Sequence, residues 1–256
     1  MPADLLYETV GHVGVITLDR PDARNALTFA MYRELEDTVR QTTARCLVIT
    51  GADPAFCSGD DVRHVMGAGT GSTPNMGKAP TLTPAADALL HTNVPIVAAV
   101  NGAAVGWGME LAMMCDIRVA SERAKFGELF VLRGLVSDVA GLGRLAQLVG
   151  RERAAELLYT GEVIDAPEAQ RIGLVGRVVP HDELLPTAMA VAERIAANPP
   201  LAVQSIKAGL RKAVDPDWHD LGEWVSKNLG RLFQTADHRE GVKSFLEKRP
   251  PVFTGE

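Results

Sequence analysis

An apolar run of five residues, Ile96–Val100, gives way to Asn101-Gly102-Ala103-Ala104-Val105-Gly106-Trp107-Gly108 and then to Met109-Glu110-Leu111-Ala112-Met113-Met114-Cys115-Asp116. A run so short and so apolar reads as a buried strand, the glycines as a turn, and the rest as an apolar helix. Glycine lets backbone come close to a ligand, and a helix start leaves N–H groups unpaired. Negative charge is favoured at that end. The helix carries one carboxylate, Glu110, about one turn in. The segment therefore reads as an anion site made of backbone with a carboxylate beside it. Such an arrangement can hold an oxyanion while a proton moves.

Other segments repeat the strand-then-helix theme. Val13–Leu18, Cys46–Thr50 and Ile117–Ala120 read as strands. Thr28 reads as the N-cap of a helix to about Arg40, with Met31, Leu35 and Val39 on one face. Strands alternating with helices imply βαβ units and parallel pairing. The stretch from Gly67 to Pro84 is rich in Gly, Ser, Thr and Pro, and is expected to be a lid or a plain surface loop. Beyond about residue 145 the signals are helical, over 152–159, 167–172, 182–197, 201–214 and 218–235, with a late strand over 174–179. No internal repeat is evident in the sequence.

Composition narrows the function classes. The 256 residues can bury a substantial core, and 46% hydrophobic with 23% charged residues is ordinary for a globular protein. A net charge of −6 without a dense Lys/Arg block argues against nucleic acid as a partner. No apolar stretch reaches the roughly 20 residues of a membrane span, and no signal peptide is evident. Cys46, Cys57 and Cys115 lack C-x-x-C spacing and read as buried thiols in a reducing, cytoplasmic setting. The six histidines show no metal-ligand spacing, so no metal is expected.

The Val100–Asp116 segment resembles the signature of the crotonase superfamily, the enoyl-CoA hydratase/isomerase family. Thr50-Gly51-Ala52-Asp53-Pro54-Ala55-Phe56-Cys57-Ser58-Gly59-Asp60-Asp61-Val62 matches a second family stretch. Arg20–Leu27 and Glu240–Arg249 match two more, in the same order and spacing. The resemblance implies an α/β fold, a crotonase-like spiral of ββα repeats with a C-terminal helical region. It divides the chain into an acyl-CoA-binding core over 1–195 and a helical oligomerisation region over 196–256. It also implies a homotrimer or dimer of trimers and an acyl-CoA thioester substrate. No separate cofactor is implied, coenzyme A being part of the substrate.

Carried over position by position, the resemblance implies that the backbone N–H groups of Asp60 and Trp107 hold the thioester oxygen. Trp107 stands where the family usually has a small residue, so its indole is expected to narrow the acyl pocket or to be a core aromatic. Glu110 matches the first catalytic glutamate of the hydratases. The second falls on Phe130, and Glu128, two residues early, is expected to point elsewhere. Asp138 matches an aspartate that is catalytic in some isomerases and dehalogenases of the family. Read from the residues alone, it can equally be an N-cap for a helix starting near Gly141 or Leu142. CoA and substrate contacts are expected from Arg24, Ala26, Ser58, Asp60, Val62, Trp107, Phe130, Phe245 and Lys248. The expectation is an enoyl-CoA hydratase of fatty-acid metabolism. The alternatives are a Δ3-Δ2 enoyl-CoA isomerase or an acyl-CoA-binding homologue without turnover.

Overall fold

The computed structural model describes residues 4–61 and 82–255. Val62 and most of the expected lid lie outside them. Among the described residues ten strands form two sheets, and the chain alternates between them. The larger sheet holds β1 (Leu5–Val10), β2 (Val13–Leu18), β3 (Cys46–Gly51), β5 (Ile96–Val100), β7 (Ile117–Ser121) and β10 (Arg177–Val179), in that spatial order. The smaller holds β4 (Ala55–Cys57), β6 (Ala103–Val105), β8 (Lys125–Gly127) and β9 (Val163–Asp165). Each large-sheet strand from β3 to β7 is thus followed at once by a short strand in the other sheet. That is the ββα spiral. Pairing is parallel throughout except between β1 and β2 and between β8 and β9.

The apolar runs are buried on both faces, as parallel sheets require. Leu47, Ile49, Ile96, Ala98 and Val100 point into the main core between the sheets. Cys46, Val48, Val97 and Ala99 point to the opposite face. There α7 (Leu184–Ala196) covers them with Leu184, Ala188, Ala192 and Ala196, a stripe whose small side chains let the helix lie close.

The remaining helices are α1 (Phe29–Gln41), α2 (Pro84–His91), α3 (Trp107–Met114), α4 (Val139–Val149), α5 (Arg151–Thr160), α6 (Ala166–Arg171), α8 (Pro200–Val214), α9 (Trp218–Leu232) and α10 (Ala236–Glu247). Thr28 caps α1, its hydroxyl accepting from the Met31 N–H at 3.3 Å. The helix expected over 218–235 ends at Leu232. Thr235 then caps α10, accepting from the His238 N–H. Among the described residues no helix is long and apolar enough to cross a membrane. All three cysteines are buried and unpaired, and burial pushes each thiol up to about 12.

Candidate active site

Two loops meet to present a pair of backbone N–H groups. The first runs from β4 through Ser58-Gly59-Asp60. It pairs with the strip Arg24–Leu27: the Leu27 N–H donates to Gly59 O at 2.8 Å and the Asp61 N–H to Leu27 O at 2.9 Å. In such a parallel bridge the N–H of the intervening residue, Asp60, faces the other way. The second loop is the start of α3, where Gly106 (φ +54°) accepts from the N–H groups of Met109 and Glu110. The Trp107 N–H, first in its helix, has no intrahelical acceptor. Among the described residues neither the Asp60 nor the Trp107 N–H has a backbone acceptor. Gly59 (φ +88°) lets the loops touch, since a Cβ there would lie 3.2 Å from Trp107 N. Gly108 seats α3 against β4, where a Cβ would lie 2.0 Å from Cys57 O.

Asn25 fixes the strip that carries Arg24 and Ala26. Its amide donates to Ala52 O and Ala55 O, both at 2.7 Å, and its Oδ1 accepts from the Arg20 N–H at 2.9 Å. The Ser58 N–H donates to Arg24 O and the Ser58 hydroxyl to Ala23 O. Arg24, Ala26, Ser58 and Asp60 are therefore brought together, and the Arg24 side chain is exposed.

Three carboxylates gather at the N-terminus of α4. Asp138 is the N-cap, accepting from the Val139 N–H at 2.8 Å, so the helix starts two residues earlier than expected. Glu110 is wholly buried and its Oε2 accepts from the Gly141 N–H at 2.8 Å, while Oε1 has no partner among the described residues. Glu128 does not point elsewhere, which corrects the expectation from spacing. It is wholly buried against the same spot, and a Cβ on Gly141 would lie 2.7 Å from Glu110 Oε1 and 3.2 Å from Glu128 Oε2. Glu128 follows directly on β8 and stands beside Glu110, while Phe130 lines the cavity described below.

Burial drives the protonation of all three. Glu110 lies well above the usual carboxylate range, through desolvation first and then the charges of Glu128 and Asp138, with the Gly141 and Ala140 amides opposing. Burial raises Glu128 to about 8, with the Ser137 hydroxyl beside it working the other way. Asp138 is raised by burial, and the Val139 N–H and the Trp107 indole N–H partly offset this.

A cavity of about 300 Å³ opens beside the two N–H groups. Asp60, Trp107, Phe130 and Asp138 line it with Tyr32 of α1, Thr83–Ala85 at the start of α2, and Leu229 and Phe233 of the C-terminal region. Trp107 stands edge-on to Tyr32 with ring centroids 4.7 Å apart, so the indole both packs in the core and narrows the cavity. Glu110 and Glu128 do not line it. Tyr32 escaped the sequence reading because it adjoins Met31 at the edge of an amphipathic face. Its hydroxyl donates to Asp60 Oδ1 at 2.6 Å.

Phe245 and Lys248 lie on the surface away from the cavity lining, with the Arg133 guanidinium 4.4 Å from the Phe245 ring centroid. The fold also brings His91 and His219 together, rings stacked 5.1 Å apart, around Asp87. The Asp87 carboxylate is engaged by Arg40 at 2.8 Å.

The two-sheet ββα spiral, with paired loop N–H groups and buried acids beside a cavity, is a crotonase-like fold. The enoyl-CoA hydratase/isomerase family model matches residues 8–256. The chain is 36% identical over 253 residues to a protein of Rhizobium meliloti named probable enoyl-CoA hydratase, covering 97% of each. It is 34% identical to the short-chain-enoyl-CoA hydratase of Clostridium acetobutylicum, covering 96% of this chain and 95% of that one. The crystal structure of an enoyl-CoA hydratase/isomerase from Pseudoalteromonas atlantica superposes with a TM-score of 0.89 at 28% identity, covering 98% of this chain and all of that one. The chain belongs to the enoyl-CoA hydratase/isomerase family.

Proposed function

We propose that this family member is an enoyl-CoA isomerase, moving a double bond from the 3- to the 2-position of an acyl-CoA thioester. The observation that carries this reading is that Asp138 lines the cavity with Trp107 and Asp60, whereas Glu110 is sealed behind the α4 N-terminus. The thioester oxygen sits on the Asp60 and Trp107 N–H groups, which are aimed where enolate charge develops. Asp138, desolvated and raised, takes the proton from C2. The aromatic and aliphatic wall of Phe29, Trp107, Phe130, Leu135, Leu229 and Phe233 suits an apolar acyl group.

Hydration, which the sequence placed first, is the second reading. It is favoured by Glu110 Oε1, which has no partner among the described residues and lies with Glu128 beside Gly141, a pair of acids able to hold a water. The deciding experiment offers purified protein a 3-enoyl-CoA and, separately, crotonyl-CoA, and follows the conjugated thioester absorbance. Isomerisation predicts a rise from the 3-enoyl substrate that Asp138→Asn abolishes. A fall from crotonyl-CoA that depends on Glu110, with no rise from the 3-enoyl substrate, overturns it in favour of hydration.

A further inference from the structure

Besides Asp138, two carboxylates line the cavity: Glu36, paired with Arg40 at 2.9 Å, and Asp60, whose side chain the reading above leaves unused. Asp60 contributes its backbone N–H to the oxyanion pair, but its side chain also lines the cavity. The Tyr32 hydroxyl reaches Asp60 Oδ1 at 2.6 Å. Tyr32 is itself held edge-on by Trp107, whose indole N–H serves Asp138. The two acids thus stand in one connected wall, Asp60 hydrogen-bonded to Tyr32 and Asp138 lowered by the neighbouring indole. No ion-pair partner of either acid is found among the described residues.

We propose that the Asp60 side chain, positioned by Tyr32, is the second proton-handling group of the site. In this assignment Asp138 removes the C2 proton and a protonated Asp60 delivers a different proton to C4. The assignment rests on the isomerase reading and deepens it.

The steps balance. The C2–H pair becomes the C1–C2 π bond of a dienolate as the thioester carbonyl π pair moves onto oxygen, and the C2 proton rests on Asp138. The dienolate collapses: the oxygen pair re-forms the carbonyl, the C1–C2 π pair becomes the C2–C3 double bond, the C3–C4 π pair takes the Asp60 proton at C4, and the 2-enoyl thioester leaves. Asp138 is then protonated and Asp60 ionised, and exchange with water resets both.

Electrostatics supports the division of labour. Two carboxylates in an apolar cavity resist joint ionisation, so the pair tends to hold one proton. Burial raises Asp60 to about 6, the Tyr32 hydroxyl lowers it, and the Asp138 charge raises it again. The Cys57 thiol lies near Tyr32 and Asp60, and burial keeps it neutral. Arg33 and Glu36 line the cavity along α1.

The test follows label. A 3-enoyl-CoA carrying deuterium at C2 is turned over in ordinary water, and the product is read by mass spectrometry and NMR. With two acids, the wild-type product carries hydrogen from water at C4. Asp60→Asn is expected to slow turnover at least tenfold, and its residual product carries C2-derived deuterium at C4, because Asp138 must then return its own deuteron. Tyr32→Phe removes a donor that favours ionised Asp60, so the Asp60 limb of the pH–rate profile moves up. A merely structural role moves neither label nor limb. Deuterium carried from C2 to C4 by the wild type overturns the assignment while leaving the isomerase reading intact. Failure of the wild type to exchange or transfer the C2 label overturns both. Deuterium at C4 in the wild-type product refutes the second acid without relying on the folding of any variant.

Discussion

The Gly141 N–H donates to Glu110 Oε2 at 2.8 Å, and the absent Gly141 side chain leaves the space that Glu110 Oε1 occupies. One residue thus supplies both the donor and the room that a buried glutamate needs at the N-terminus of α4.

Gly141→Ala tests this directly. In a helix interior alanine gains about 1 kcal/mol over glycine. Here its Cβ would fall 2.7 Å from Glu110 Oε1 and 2.9 Å from Ser137 Cβ. Overpacking of that kind costs about 1–3 kcal/mol. The expected net effect is a loss of stability, read as a lower urea midpoint at unchanged slope. A higher midpoint would show that the carboxylates move aside freely.

The Glu110–Glu128 pair makes stability depend on pH. Both groups sit above their unfolded values, so their favourable contribution is full below the unfolded value near 4.5. It is lost as pH rises through the folded values, about 8 for Glu128. Stability is therefore expected to fall between pH 5 and 9. Glu128→Gln removes one ionisation and offers its amide to the unpartnered Glu110 Oε1. The variant is expected to gain on the order of 2 kcal/mol relative to wild type at pH 9 and much less at pH 5. Melting curves at the two pH values check it, and an equal effect at both would refute the pairing.

Asp138 has two separable jobs. It caps α4 through the Val139 N–H, and it presents a carboxylate to the cavity. Asparagine caps as well as aspartate, while alanine at an N-cap costs about 1 kcal/mol. Asp138→Asn is therefore expected to melt close to wild type and to lose about 10²–10⁴-fold in turnover. Asp138→Ala loses both. If Asp138→Asn turned over normally, the cap would be its whole purpose.

The strands Val13–Leu18 and Ile96–Val100 and the starts of those at Cys46 and Ile117 were legible, because parallel strands buried on both faces appear as unbroken apolar runs. The second sheet was not. Its strands Ala55–Cys57, Ala103–Val105, Lys125–Gly127 and Val163–Asp165 are three residues each, too short to show a period. Glu110 stood out as a lone acid on an apolar helix, and Asp138 as an acid before one. Glu128 was misplaced because residue spacing along a loop does not say where the loop turns. Asn25 was visible only as part of a matching stretch. Its purpose, three hydrogen bonds from a left-handed residue (φ +57°), needed the fold.

That makes Asn25→Ala informative. It removes the side-chain donor of Ala52 O and one of the two at Ala55 O, which keeps Asn101 at 3.2 Å, and it makes a residue less tolerant of the left-handed region keep φ positive. A loss of about 2–4 kcal/mol is expected. The strip Arg24–Leu27 should also loosen, so backbone amide exchange at Leu27 and Asp61 should speed up more than in β5.

Trp107→Phe isolates the indole N–H. Phenylalanine keeps an aromatic ring edge-on to Tyr32 but removes the donor that lowers Asp138. With that donor gone, Asp138 stays protonated to higher pH. The acidic limb of the pH–rate profile, which reports ionisation of the base, is therefore expected to move up. Above that limb the variant recovers most of its turnover, because the backbone N–H of residue 107 is kept. A limb that stays in place while turnover falls at every pH would mean that the indole acts on the acyl group, by shape, and not on the carboxylate.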